Sequence, residues 1–235
     1  MLRRNFLIGS GLSLSALVMP GFGQAIAAEA LLLPMDVSRK KSLVDIALNL
    51  ATSSGASYCD VRIGRYLQQS IITRESKVQS IVSSESIGAG IRVLVKGAWG
   101  FAATSDLTAT GIGNAVQQAM LIANSNAKIQ TQPVQLAKAP ALGVVSWATP
   151  IKINAMAIPV KEKADLLLSV NAAAMNAGAN FVNSQLFLVN EQKYFASTDG
   201  SYVDQDIHRI WPNFTVTATD KVTGKFRTRN SLAAP

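Results

Sequence analysis

Tyr58–Arg74 reads YCDVRIGRYLQQSIITR, with Val61, Ile63, Tyr66, Ile71, Ile72 and Thr73 spread along it. β-Branched and aromatic residues fit a pleated, half-buried surface, so the stretch predicts a long strand. Before it, from Ser38 to Ser54, Leu43, Ile46, Ala47, Leu50 and Ala51 recur at helical spacing, with Ser38 as candidate N-cap and Gly55 as the stop. After it, Val78–Ser83 and Ile91–Val95 predict further strands, and Lys96-Gly97 predicts a tight turn into Trp99-Gly100-Phe101. The helical period returns between Leu107 and Ala127 through Ile112, Ala115, Val116, Ala119, Met120 and Ala123, with Thr108 as cap. Helix, strands, helix predicts an α+β domain: two layers, with helices on one face of a mostly antiparallel sheet.

Residues 128–158 carry Pro133, Pro140 and Pro150 without a sustained period, and predict a linker or crossing segment. A second unit opens at Pro159, whose fixed φ suits a first helical turn, and its helix runs through Leu167, Val170 and Ala174 to Gly178. Phe181–Asn190, Lys193–Thr198, Tyr202–Arg209, Phe214–Thr219 and Phe226–Thr228 predict strands, with Asp199-Gly200 as a hairpin turn. The expected organisation is a leader over 1–27, a first domain over 28–127, the crossing over 128–158, and an incomplete second α+β domain over 159–235.

The chain has 235 residues, 49% of them hydrophobic, which excludes a disordered polypeptide. Its net charge of +8 invites a nucleic-acid reading, but the charge is thinly spread and aromatics are only 6%. No nucleic-acid partner is expected, and the one basic run, Arg39-Lys40-Lys41, reads as a solvated helix face. A single cysteine, Cys59, excludes an intramolecular disulfide, and a single histidine, His208, falls short of the imidazoles most zinc sites use.

Arg3-Arg4 precedes a weakly apolar stretch, Phe6–Val18, and then Ala25-Ile26-Ala27. This pattern reads as a signal peptide, because the apolar stretch is shorter than the roughly 20 residues a membrane-crossing helix needs. Arg3, Arg4, Phe6 and Leu7 resemble a twin-arginine export signal, with Ala25 and Ala27 placed for cleavage, which implies a periplasmic destination. Leu2 and Ile8 depart from the usual pattern, so ordinary secretion and an uncleaved anchor stay open as alternatives.

Residue by residue, little else suggests chemistry. Gly88-x-Gly90 precedes a strand and Gly111-x-Gly113 falls inside a helical period, so neither is a phosphate loop. Gly88, Gly90, Gly97 and Gly100 read as relief for bends and turns. Asp199, Asp204 and Asp206 read as solvated carboxylates beside a turn, Cys59 as a buried small residue, and His208 as an exposed or hydrogen-bonded strand residue. Asn213-Phe214-Thr215 matches a glycosylation sequon without further support. No residue is assigned a catalytic, cofactor-binding or metal-binding role.

The order GA-x-Y-x-DVR (Gly55–Arg62), then G-x-G-x-R-V-x-x-x-G-x-W-G-F-A-x-T (Gly88–Thr104), resembles the N-terminal domain of the TldD/PmbA family. Pro159–Leu167 and Phe195–Gly200 are similar to its central domain, and the resemblance runs from about Leu43 to Arg229. It implies a zinc metallopeptidase acting on peptides or unfolded chains, or a non-catalytic partner of one, assembled as a homodimer or heterodimer. The family's HExxxH zinc helix and further cysteine ligand lie in a C-terminal half. No His-Glu pair occurs here and Cys59 stands where the family has a small residue, so neither Cys59 nor His208 is carried over as a ligand. The expectation is therefore the front portion of an exported metallopeptidase, inactive alone and without cofactor, with zinc expected only in a full-length member. A non-catalytic peptide-binding or dimer-partner subunit is the alternative, and an unrelated exported structural protein is a third reading.

Overall fold

The computed structural model describes residues 35–231, and the leader residues Arg3, Arg4, Phe6, Leu7, Ala25 and Ala27 lie outside that range. Asp36 starts α1 (Val37–Ser53), its carboxylate accepting from the Arg39 amide at 2.8 Å. The expected cap, Ser38, sits inside the first turn instead; an aspartate two residues earlier satisfies an orphan N–H and also carries the charge a helix N-terminus favours. Strands β1 (Tyr58–Arg74), β2 (Lys77–Val95) and β3 (Ala98–Thr104) then form an antiparallel meander. Its second turn holds Lys96 and Gly97 at φ 50° and 75°, both left-handed, as a two-residue hairpin requires. Thr108 caps α2 (Ala109–Asn126) by accepting from the Gly111 amide, as expected.

The chain continues through β4 (Gly143–Ala148), α3 (Val160–Asn176), β5 (Phe181–Ser197), β6 (Ser201–Thr219) and β7 (Phe226–Asn230). These strands form one seven-stranded sheet in the order β3-β2-β1-β5-β6-β4, with β7 beside the far half of β6. All pairings are antiparallel except β4 with β6. The α+β architecture follows the expectation, and three details correct it. The crossing segment contributes a strand, β4. The short strands expected on either side of Ser84, Glu191 and Asn213 are continuous as β2, β5 and β6. The strands of the second unit join the first sheet, with β5 paired to β1 from Asp60↔Ser197 to Arg74↔Asn183.

The helices lie on one face. Odd-numbered residues of β1 point to it, and Cys59, Val61 and Ile63 meet Val44, Ala47, Val116 and Ala119 of α1 and α2 in the main core. Farther along β1, Ile71 meets Ala164 and Leu167 of α3 in a smaller cluster. Between these two clusters the same face carries a polar stretch beside Leu67 and Leu188. Arg65 pairs with Glu85 at 2.6 Å, and the Gln69 amide donates to Ser83 at 3.0 Å. No helix among the described residues lies on the opposite face of the sheet.

Candidate functional site

The polar stretch of the helix face gathers several residues singled out in the sequence. Lys40 is buried and pairs with Asp204, and its ammonium lies 5.4 Å from the Tyr194 ring centre. The basic run is thus only partly a solvated face: Arg39 and Lys41 remain exposed, while Lys40 turns inward because Asp204 compensates its charge. Asp206 accepts from the Asn190 amide, which also lies 3.1 Å from His208 Nε2. Asp204 and Asp206 are therefore partners in a network, which corrects their reading as merely solvated. His208 is a hydrogen-bonded strand residue and borders a cavity of about 100 Å³ beneath Ile151 and Met156. Asp199 stays in the exposed turn.

Cys59 is buried in the main core, and that burial, with Asp60 beside it, pushes its thiol from an ordinary value near 9 up to about 12. The unfolded thiol ionises first, so the stability the neutral thiol confers is present below pH 9 and is lost as pH rises towards about 12. An aromatic disulfide reagent at pH 8 is expected to label the native chain no faster than it unfolds. Prompt labelling of native protein would contradict this burial.

A zinc ion does not fit these residues. Cys59 opens β1, whereas His208 is paired through Asn190 to Leu67, eight positions along that strand, or about 26 Å at 3.3 Å per residue. Among the described residues no group of three His, Cys, Asp or Glu side chains is placed to hold a metal.

The feature best suited to holding a ligand is an edge. β3 covers β2 only from Ala89 to Val95, so the outer edge of residues 77–88 has no partner strand among the described residues. Nearly all of this stretch is exposed, and Ile81 and Ile87 share its helix-side face at 46% and 39% exposure. Free edges are usually guarded by proline or by mid-strand lysine; here Lys77 stands at the very start and the middle reads Ser-Ile-Val-Ser-Ser-Glu-Ser-Ile. Such an edge can accept an extended chain through main-chain hydrogen bonds. The sequence leads to the expectation that sheet edges in this half hold substrate as an added strand, but not to which strand offers the edge, because which neighbour a strand lacks is decided by non-local pairing.

Residues 59–123 match PmbA/TldA metallopeptidase domain 1, and residues 155–233 match the PmbA/TldA metallopeptidase central domain. The chain belongs to the PmbA/TldD family. Solved structures agree on the PmbA/TldD fold. A putative modulator of a DNA gyrase from Thermotoga maritima is 15% identical, with a TM-score of 0.62 over 81% of this chain and 42% of its own. A putative modulator of DNA gyrase from Bacteroides thetaiotaomicron gives 16% and 0.55, over 83% of this chain and 45% of that one. TldE from Thermococcus kodakarensis gives 12% and 0.57, over 80% and 42%. The chain thus spans less than half the length of these PmbA/TldD structures. No curated protein matches it.

Proposed function

We propose that this chain is the front portion of an exported PmbA/TldD metallopeptidase, and that it holds extended peptide or unfolded-protein substrates while hydrolysis depends on zinc ligands outside these 235 residues. The observation that carries the reading is the unpaired edge of β2, Lys77–Gly88, in a sheet built jointly from the first and central family domains. Export to the periplasm rests on Arg3, Arg4, Phe6 and Leu7, with Ala25 and Ala27 at the cleavage point. The reading includes pairing with a second family subunit, as homodimer or heterodimer. The separation of Cys59 from His208 supports the second reading, a non-catalytic peptide-binding or dimer-partner subunit.

The test uses the 235-residue chain and a labelled eight-residue peptide of alternating valine and threonine. The peptide is expected to bind and to stay intact, and the pair Ile81→Lys and Ile87→Lys is expected to abolish binding without lowering the unfolding temperature. Binding unaffected by the lysines would sink the edge reading. Zinc at one per chain together with peptide cleavage would sink the division of labour.

A further inference from the structure

The face of the sheet away from α1, α2 and α3 is not an ordinary solvated face. A sheet covered on one side usually turns polar residues outward on the other. Here the register places all three tryptophans outward: Trp99 beside Leu94, Trp147 beside Gln205, and Trp211 opposite Phe187. Trp147 and Trp211 are 51% and 62% exposed.

Two ion clusters stand among the rings. Asp60, 1% exposed, takes both Nε and Nη2 of Arg92 on one oxygen at 2.8 and 2.6 Å, and Arg62 lies 3.5 Å from the other. Glu191, also buried, accepts from Lys193 at 3.0 Å, Arg209 at 2.8 Å and the Tyr66 hydroxyl at 2.9 Å. Burial alone would raise the Glu191 carboxyl, yet these three donors hold it below the usual range. Each carboxylate therefore lies beneath two cations, and what faces outward is cationic. The Arg62 guanidinium sits 5.2 Å over the Phe195 ring and that of Arg92 4.7 Å over Trp99. A guanidinium stacked on a ring covers the ring face and turns its N–H edge outward, which suits a carboxylate and leaves neither Phe195 nor Trp99 as a platform for a base.

We propose that this face is a docking surface for an acidic polypeptide, whose carboxylates meet the Arg62/Arg92 and Lys193/Arg209 clusters and whose apolar groups cover Trp147 and Trp211. The area suffices: six strands abreast about 4.8 Å apart, over ten residues at about 3.3 Å each, span roughly 950 Å². A standard interface needs about 800 Å² per partner. A second copy fits poorly, because two such faces would oppose cation to cation. This surface lies on the other side of the sheet from α1, α2 and α3 and does not involve Ile81 or Ile87, so it stands or falls apart from the peptide edge.

The experiment measures binding of the 235-residue chain to a labelled decaglutamate peptide and to a ten-nucleotide oligothymidylate. The peptide is expected to bind more tightly than the oligonucleotide and to weaken with salt. The pair Arg62→Glu and Arg209→Glu is expected to lower its affinity about tenfold or more, while Lys161→Glu, on the exposed side of α3, leaves it unchanged. If the double reversal perturbs folding, Arg209→Ala with Trp211→Ala replaces it, since Lys193 and Tyr66 still hold Glu191. Equal or tighter oligonucleotide binding, equal loss with Lys161→Glu, absence of peptide binding, or probe-free dimerisation abolished by the reversal would each overturn the proposal.

Discussion

Gly100→Ala is expected to destabilise the protein by about 2–3 kcal/mol, while the same change at Gly113 stabilises it. A methyl at Gly100 would lie 2.0 Å from the Ala119 carbonyl oxygen and 2.6 Å from the Ala123 amide nitrogen, so all of α2 must move off β3 to admit it. The atoms in the way are helix backbone, which cannot rotate aside. At Gly113, inside α2, a methyl meets nothing nearer than Leu50 Cδ2 at 3.9 Å. There alanine removes freedom from the unfolded chain without a clash, a gain of about 0.4–1 kcal/mol. For a domain of this size the melting temperature should fall by roughly 5–10 °C in the first variant and rise by roughly 2 °C in the second. Equal shifts in one direction would mean that α2 does not rest on β3 as described.

The same contact shows what the sequence made legible. α1 and α2 were readable because their apolar residues keep one helical period, and each buries that stripe in a single core. Gly100, beside a tryptophan, was readable only as a bend; that it marks the closest approach of a helix is a fact of packing. The breaks expected within β2 and β5 have a common physical origin. Ser83, Glu85 and Asn190 sit where the helix face lies between the two helix clusters, and polar residues there interrupt the alternation without ending the strand. Pro212 looks like a terminator, yet it lies on β6 between the stretches paired to β4 and β7, where no neighbouring strand requires its missing N–H. The ion clusters of the open face were equally hidden, since Asp60 meets Arg92, and Glu191 meets Arg209, only through strand pairing.

Asn171→Ala is expected to cost about 2–4 kcal/mol and to loosen α3 alone. The hydrophobic cluster beneath α3 has only Ile71, Ala164 and Leu167 at its buried centre, so much of its attachment rests on Asn171, which is fully buried. Its amide donates to the Thr73 hydroxyl at 3.0 Å and to the Glu75 carbonyl at 2.9 Å, and its oxygen accepts from the Ser184 hydroxyl. Removing the side chain takes a partner from the Thr73 hydroxyl, the Ser184 hydroxyl and the Glu75 carbonyl and leaves a void. Hydrogen exchange should therefore speed up in α3 while α1 and α2 keep their protection. Asn171→Asp sharpens the test through pH. An ionised carboxylate would turn a negative oxygen towards the Glu75 carbonyl in a fully buried position, which raises its folded pKa above the unfolded value of about 3.9. The stability lost at neutral pH should then return as pH falls through the folded pKa, and be fullest below about 3.9. Unfolding of this variant at pH 4.5 and 7.5 should show a smaller deficit at the lower pH, whereas the alanine variant's deficit should not change. Equal deficits at both values, or loss of protection spreading to α1 and α2, would mean that Asn171 is not what fastens α3 to the sheet.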